Sequence, residues 1–253
     1  MTKAMNPVPV LLYHHIAPHP GDTVTVTPEV FASQMQWLSD EGYGFLSAGE
    51  LLGHVAGTSP AEGKSVAITF DDGWLDNYLH AYPVMQRLGI KATMFVITAR
   101  ADAASLAGCR FPAEVPCHET AKGFIRAGEA ERVVLDWQTI RAMAAGGLMS
   151  FHSHTLSHRR SVDLSEEELL FELAESKKTL QRELGRESDC LCWPYGSFNE
   201  QCMEIARRAG YQALFTTIDG LCPPASDLMR INRIEVADSL EWLRLRLATA
   251  LFN

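Results

Sequence analysis

The sequence predicts an α/β fold made of parallel strand–helix units. Short β-branched runs alternate with amphipathic stretches of helical spacing that close on glycine. The length, 253 residues, is that of one α/β barrel. Hydrophobic residues at 47% and charged residues at 21% describe an ordinary globular chain.

Val8–Tyr13 is a short apolar run, read as the first buried strand, with His14 and His15 at its end. Residues 27–42 read as a helix: Thr27 caps it, Pro28 suits the first turn, Phe31, Met35 and Leu38 recur on one face, and Gly42 stops it. Residues 43–46 make a second strand, 47–55 a second helix and 57–63 a loop. The run 66–72 is a strand ending in two adjacent carboxylates, Asp71 and Asp72, with Gly73 to let the chain turn. A helix over 76–88 stops at Gly89, and 90–97 is another β-branched run.

Residues 99–132, with Cys109, Pro112, Pro116 and Cys117, show no clear period. A segment this long inside a compact domain is expected to border the site. Helix 136–146 places Trp137, Ile140 and Met143 on one face, and strand 148–151 leads into His152-Ser153-His154-Thr155-Leu156-Ser157-His158. Residues 165–185 make the strongest helix, with a Ser165/Glu168 capping box and a stripe of Leu169, Leu173, Leu180 and Leu184. Strand 190–193 precedes Pro194-Tyr195-Gly196. Helix 199–209, strand 213–217, an extended run 230–236 and a helix 239–251 capped by Ser239 complete the chain. About seven strand–helix units, without repeat or linker, predict one domain over residues 1–253.

The net charge is −9, and the basic clusters stop at Arg159-Arg160 and Arg207-Arg208. This argues against nucleic acid, anionic membrane and polyanionic substrates, unless a local patch overrides the net figure. No segment has the length and apolarity of a transmembrane helix, and no secretory h-region follows the N-terminus. As written, the chain reads as cytoplasmic; a leader ahead of it would make it exported. The six cysteines are expected to be reduced thiols, and no Cys-x-x-Cys pair occurs.

Parallel α/β sheets place their chemistry at the C-terminal ends of strands. Here those ends carry His14 and His15, Asp71 and Asp72, His154 and His158, and Pro194-Tyr195-Gly196. His154 and His158 are four apart, so one helical turn would set both imidazoles on one side. Two histidines and one carboxylate, with a position left for water, form a catalytic-type zinc set. Of two adjacent acids, one can bind the metal while the other takes a proton from the water it activates. The reaction class is then metal-assisted hydrolysis. No Gly-x-Ser-x-Gly elbow and no phosphate-cradling Gly-x-x-x-x-Gly-Lys loop competes with this reading.

Thr69-Phe70-Asp71-Asp72-Gly73, His154-Thr155-x-x-His158 and Pro194-Tyr195-Gly196, in this order and spacing, resemble the polysaccharide deacetylases of carbohydrate esterase family 4. The likeness runs from Leu11-Leu12-Tyr13-His14-His15-Ile16 to Arg233-Ile234-Glu235-Val236. It implies a distorted (β/α)7 barrel and a divalent metal, zinc in most members, on Asp72, His154 and His158. It also implies Asp71 as catalytic base and the backbone N–H of Tyr195 as an oxyanion donor. The implied reaction removes N-acetyl groups from N-acetylated amino sugars or their polymers and releases acetate, so the expected partner is carbohydrate.

Two positions depart from the family pattern. Many members have an arginine two residues before the motif proline, where it orients the base; here that residue is Cys192. Many also carry a late Leu-x-His that supplies the general acid, and no histidine follows His158. His14 is the candidate acid, because Tyr13-His14-His15-Ile16 resembles the first-strand motif of the branch that deacetylates poly-N-acetylglucosamine; His15 and His152 are rivals. Two alternatives stay open: an amidase acting on a small cyclic amide, and a non-catalytic sugar-binding protein of the same fold. Trp74, Trp193 and Tyr195 could stack on a sugar ring, with packing the preferred role for Trp193.

Overall fold

Strand residues alternate between two faces, and in this chain one face fills a barrel while the other meets helices. The computed structural model describes residues 6–251 apart from 109, 110, 113 and 187. In chain order the elements are β1 (Val8–Tyr13), β2 (His15–Ile16), β3 (Thr25–Val26), α1 (Pro28–Asp40), β4 (Gly44–Leu46), α2 (Ala48–Val55), β5 (Ser65–Phe70), α3 (Tyr82–Leu88), β6 (Ala92–Val96), α4 (Thr98–Ala107), α5 (His118–Ala127), α6 (Trp137–Ala145), β7 (Met149–Ser153), α7 (Glu166–Leu184), β8 (Cys190–Cys192), α8 (Glu200–Arg208), β9 (Ala213–Phe215), β10 (Leu221–Cys222), β11 (Ile234–Glu235) and α9 (Leu240–Leu251).

Parallel pairing runs β1–β5–β6–β7–β8–β9. The sheet then returns on itself. Ile231 bridges Phe215 of β9, and β11 pairs with β1 through Leu11 and Ile234. The result is a distorted (β/α)7 barrel whose seventh strand is short. β4 pairs only with the first half of β5, and β10 runs antiparallel to the start of β1. Val10, Ala67, Phe95, Cys192, Phe215 and Ile231 pack together inside. Leu11, Ile68, Phe70, Met94 and Phe151 pack outward against the helical layer.

Several elements differ from expectation. Strand β5 stops at Phe70, two residues early. The helix after it opens with a π-turn over Asn77–Ala81. Segment 99–132 contains two helices, α4 and α5, whose polar, alanine-rich sequences hide their period. Thr27 flanks α1 without capping it, because its hydroxyl donates to Asp238 Oδ1 at 2.8 Å instead. The capping boxes at Ser47/Glu50 and Ser165/Glu168 are both formed. Cys117, Cys190, Cys192, Cys202 and Cys222 are free thiols; Cys109 lies outside the described residues. Among the described residues, no helix is long and apolar enough to cross a membrane.

Candidate active site

Asp71 keeps the inward face of β5, two residues beyond Thr69, and its N–H still bonds Tyr13 O at 3.0 Å. In a continuing strand Asp72 would point away. Its backbone is instead left-handed, with φ 70, which delivers its carboxylate to the same cavity. Gly73 follows at φ 72, and a Cβ there would stand 3.1 Å from Val96 Cγ1. The turn therefore belongs to Asp72 as much as to Gly73.

The two histidines reach the cavity without a helical turn. Thr155 and His158 adopt left-handed backbones, φ 66 and 64, and the imidazole centroids of His154 and His158 lie 4.8 Å apart. The spacing of four is satisfied by a kinked loop. That loop is held from α7, where the buried Glu172 accepts the Ser157 N–H at 2.8 Å and the Ser157 hydroxyl at 2.5 Å.

Asp72, His154 and His158 offer ligand atoms within 4.8 Å of one another. Asp72 Oδ1 lies 3.6 Å from His154 Nε2 and 3.2 Å from His158 Nε2, yet it is buried with no hydrogen-bond partner. Its other oxygen accepts from Trp74 Nε1 at 3.0 Å. His154 Nδ1–H donates to Cys192 O at 2.8 Å, which leaves Nε2 as a lone pair facing Asp72. Burial lowers the pKa of both imidazoles, that of His158 to about 3, so both are neutral and ligand-competent. For Asp72 burial opposes ionisation, but the neighbouring His158 and His154 hold it well below the usual carboxylate range. An orphaned carboxylate oxygen aimed between two imidazole nitrogens fits a divalent cation. Asp71, His154 and Cys192 also lie close enough to share an ion. There the thiol is pushed well up by burial, and Asp71 is already paired, so that set fits a cation less well.

Asp71 is bound by a residue the sequence reading does not assign. Arg233, fully buried in the barrel, donates Nη1 to Asp71 Oδ1 and Nη2 to Oδ2, both at 2.8 Å. It also bonds Thr216 O at 2.8 Å and reaches the Cys192 sulfur at 3.0 Å. Burial alone would raise the pKa of Asp71; Arg233 and His154 outweigh it and bring it to about 2. An arginine, absent at position 192, thus reaches Asp71 from the closing run 230–236, beside Cys192. Its sequence signal is a charged residue inside the buried run 230–236, which needs a buried counter-charge.

His14 Nε2 lies 3.9 Å from Asp71 Oδ2, at the cavity and partly exposed. Its rivals are placed elsewhere. His15 is buried, donates Nδ1–H to Asp76 Oδ2 at 2.6 Å, stacks on Trp74 at 4.3 Å and meets His118 Nδ1 through Nε2 at 3.0 Å. His152 contacts Ser188 and Phe95, away from the cavity. Trp74 is buried and engaged with Asp72, and Trp193 is buried and stacked on Phe198. Tyr195, at φ 58, keeps a 62% exposed side chain and a ring 4.5 Å from that of His158.

His14, Asp71, Asp72, His154, His158 and Tyr195 line one cavity of about 360 Å³. Arg100 of α4 and His118, Lys122 and Arg126 of α5 also line it. The arrangement can hold a divalent metal beside an ionised carboxylate and a histidine that can carry a proton, which is the equipment of amide hydrolysis.

Comparison with known proteins agrees. The chain is 28% identical over 233 residues to YxkH of Bacillus subtilis, a protein named for polysaccharide deacetylation, and covers 92% of this chain and 72% of that one. It is 24% identical over 243 residues to the poly-β-1,6-N-acetyl-D-glucosamine N-deacetylase of Escherichia coli K12, spanning 36% of that enzyme's length. The structure of the Streptococcus pyogenes deacetylase PplD in complex with acetate superposes with a TM-score of 0.77 at 27% identity, over 97% of this chain and 98% of that one. The family model described as polysaccharide deacetylase matches residues 58–214, from the approach to β5 into β9. Those are the strands that deliver Asp71, Asp72, His154, His158 and Tyr195 to one cavity, and this chain belongs to the polysaccharide deacetylase family.

Proposed function

We propose that the chain is a zinc-dependent hydrolase that removes the N-acetyl group from N-acetylated hexosamines within a carbohydrate, releasing acetate. Asp72, His154 and His158 hold the metal. One observation carries this reading. Of two adjacent acids, Asp71 is fully paired by Arg233, whereas Asp72 leaves a buried oxygen unpartnered between two neutral imidazoles. The substrate named for the E. coli relative and the acetate held by the S. pyogenes structure support the sugar and the product.

Asp72, His154 and His158 would hold the metal, which would supply polarisation of the acetyl carbonyl and a lower pKa for the attacking water. Asp71 accepts that water's proton, and Arg233 keeps its carboxylate ionised and fixed in direction. The backbone N–H of Tyr195 binds the oxygen that gains charge. An amine is expelled only once protonated, and His14, beside Asp71, delivers that proton to the departing nitrogen.

The test is acetate release from N-acetylglucosamine oligosaccharides, run with elemental analysis of the purified chain. We expect about one zinc per chain in the wild type and in Asp71→Asn, and none in Asp72→Ala. Asp71→Asn should lose about 10²–10⁴-fold in kcat, the usual contribution of a general base. Turnover surviving in Asp71→Asn sinks the base assignment. Metal retained by Asp72→Ala sinks the ligand set.

A further inference from the structure

We propose that the α5 wall of the catalytic cavity binds an anionic group carried by the sugar substrate, a carboxylate or phosphate close to the N-acetyl group. The inference rests on the deacetylase reading and names its substrate class.

The geometry begins with helix spacing. His118, Lys122 and Arg126 stand at i, i+4 and i+8 on α5 and share one face. All three line the cavity that contains Asp71 and Asp72, and Arg100 of α4 joins them. Neither Arg100 nor Arg126 has an ion-pair partner among the described residues. Lys122 has one, Glu119 of its own helix at 2.8 Å, with both side chains largely in solvent. Such a pair contributes little and yields easily. His118 has its Nδ1 engaged by His15, which leaves Nε2 for a ligand.

Elsewhere on this surface many cations are matched: Lys64 by Glu41, Lys91 by Glu50, Arg141 by Glu183, Arg208 by Glu166; Arg244, outside any ion pair among the described residues, lies over the Trp37 ring. The chain as a whole carries 31 acids against 22 basic residues. Unmatched arginines converging on a cavity run against that composition. The C-terminal end of α5 favours a cation at Arg126 for local reasons, but that does not account for the stripe of three or for Arg100 on another helix.

The catalytic acids do not supply the missing anions. Asp71 is neutralised by Arg233. Asp72 belongs to the metal set, and the charge of Arg100 is already felt at Asp72 and His158. A dication there makes the cavity more positive still, which disfavours unpaired arginines beside it unless the ligand brings negative charge. The opposing charges on this side, Glu119 of α5 and Asp22 near His118, are both exposed. A neutral polymer has nothing for these groups. An N-acetylhexosamine that bears a phosphate ester, or is linked to a uronate, presents an anion one sugar ring from the acetamide.

The experiment compares acetate release by the zinc-loaded chain from three substrates: an N-acetylglucosamine oligosaccharide, an alternating N-acetylglucosamine–glucuronate oligosaccharide, and N-acetylglucosamine 6-phosphate. At least one anionic substrate is expected to exceed the neutral oligomer in kcat/KM by about tenfold, the effect of one charge-assisted hydrogen bond. That ratio should shrink with added salt and fall towards one in Arg126→Ala and Lys122→Glu. Which of the two substrates wins separates carboxylate from phosphate. Calorimetric binding of the same three compounds to Asp71→Asn keeps the outcomes distinct. Anions that bind tighter but release no acetate uphold the wall and overturn the deacetylase reading. Turnover of the neutral oligomer at an equal or better rate, with no preferential anion binding, overturns the wall and leaves the deacetylase reading standing.

Discussion

Asp71 and Asp72 are chemically identical neighbours with different surroundings. Asp71 sits in a bidentate guanidinium fork, whereas Asp72 faces two imidazoles and an indole N–H. The fork predicts a pH effect. Arg233 holds Asp71 down to about 2 against a burial effect of opposite sign. In Arg233→Met burial prevails, the pKa rises, and the ionised base is lost as pH falls through a higher value. The acid limb of the pH–rate profile should therefore move upward, with kcat falling most on the acid side. Leaving Asp71 buried and unpaired should also cost about 3–5 kcal/mol of stability, read by denaturant unfolding. Because Cys192 touches both partners, at 3.4 Å from Asp71 and 3.0 Å from Arg233, the swap Cys192→Arg/Arg233→Cys should recover part of the lost rate. An unmoved acid limb in Arg233→Met would refute the orienting role. At this scale the acids and histidines were legible because motif spacing is local. Arg233 was not, since it stands 162 residues from Asp71 and only barrel closure joins them.

Elements add what single residues lack, namely direction. The sequence supports a helical turn between His154 and His158, yet this loop takes two left-handed residues and a brace from α7. The brace was readable only as an oddity. Glu172 lies on the buried stripe of α7 with Leu169 and Leu173, where an acid must find a partner; no spacing rule pairs it with Ser157. Glu172→Gln keeps the size but offers one acceptor oxygen to two donors. It should cost about 1–3 kcal/mol of stability and weaken metal binding about tenfold, measured by competition with a chelator. Ser165→Ala provides the contrast on the same helix, since losing its cap should cost about 1 kcal/mol and leave metal affinity unchanged. Equal metal affinity in both variants would mean that α7 supports the fold but not the histidine loop. The α5 stripe was illegible for another reason: its period is carried by polar residues, and apolar recurrence is the usual signal of a helix.

For the whole molecule, the parallel βαβ order and the position of chemistry at strand ends were legible, because buried strands must alternate with helices that cover them. The closure was not. Residues 43–46 and 230–236 read as extended, as β4 and β11 are, but nothing local in them says that β4 covers half of β5 or that β11 closes on β1, and β10 contributes only two residues in the opposite sense. These thin seams flank the interior that holds Arg233, so the barrel is stitched partly through its site. The metal should then act on global stability as well as on chemistry. Without it, the buried Asp72 Oδ1 has no hydrogen-bond partner, and such a group costs free energy in the folded state alone. A cation bound only by the folded chain stabilises it by about 2.7 kcal/mol at a hundredfold excess over Kd. For a chain of this size that corresponds to a rise in Tm of about 5–10 °C. Scanning calorimetry with and without zinc should show this rise in the wild type and in Asp71→Asn, and no rise in Asp72→Ala. A zinc-dependent rise in Asp72→Ala would place the metal elsewhere. No rise in any form would mean that the three ligands, though assembled, do not bind it, and that their convergence serves the fold alone.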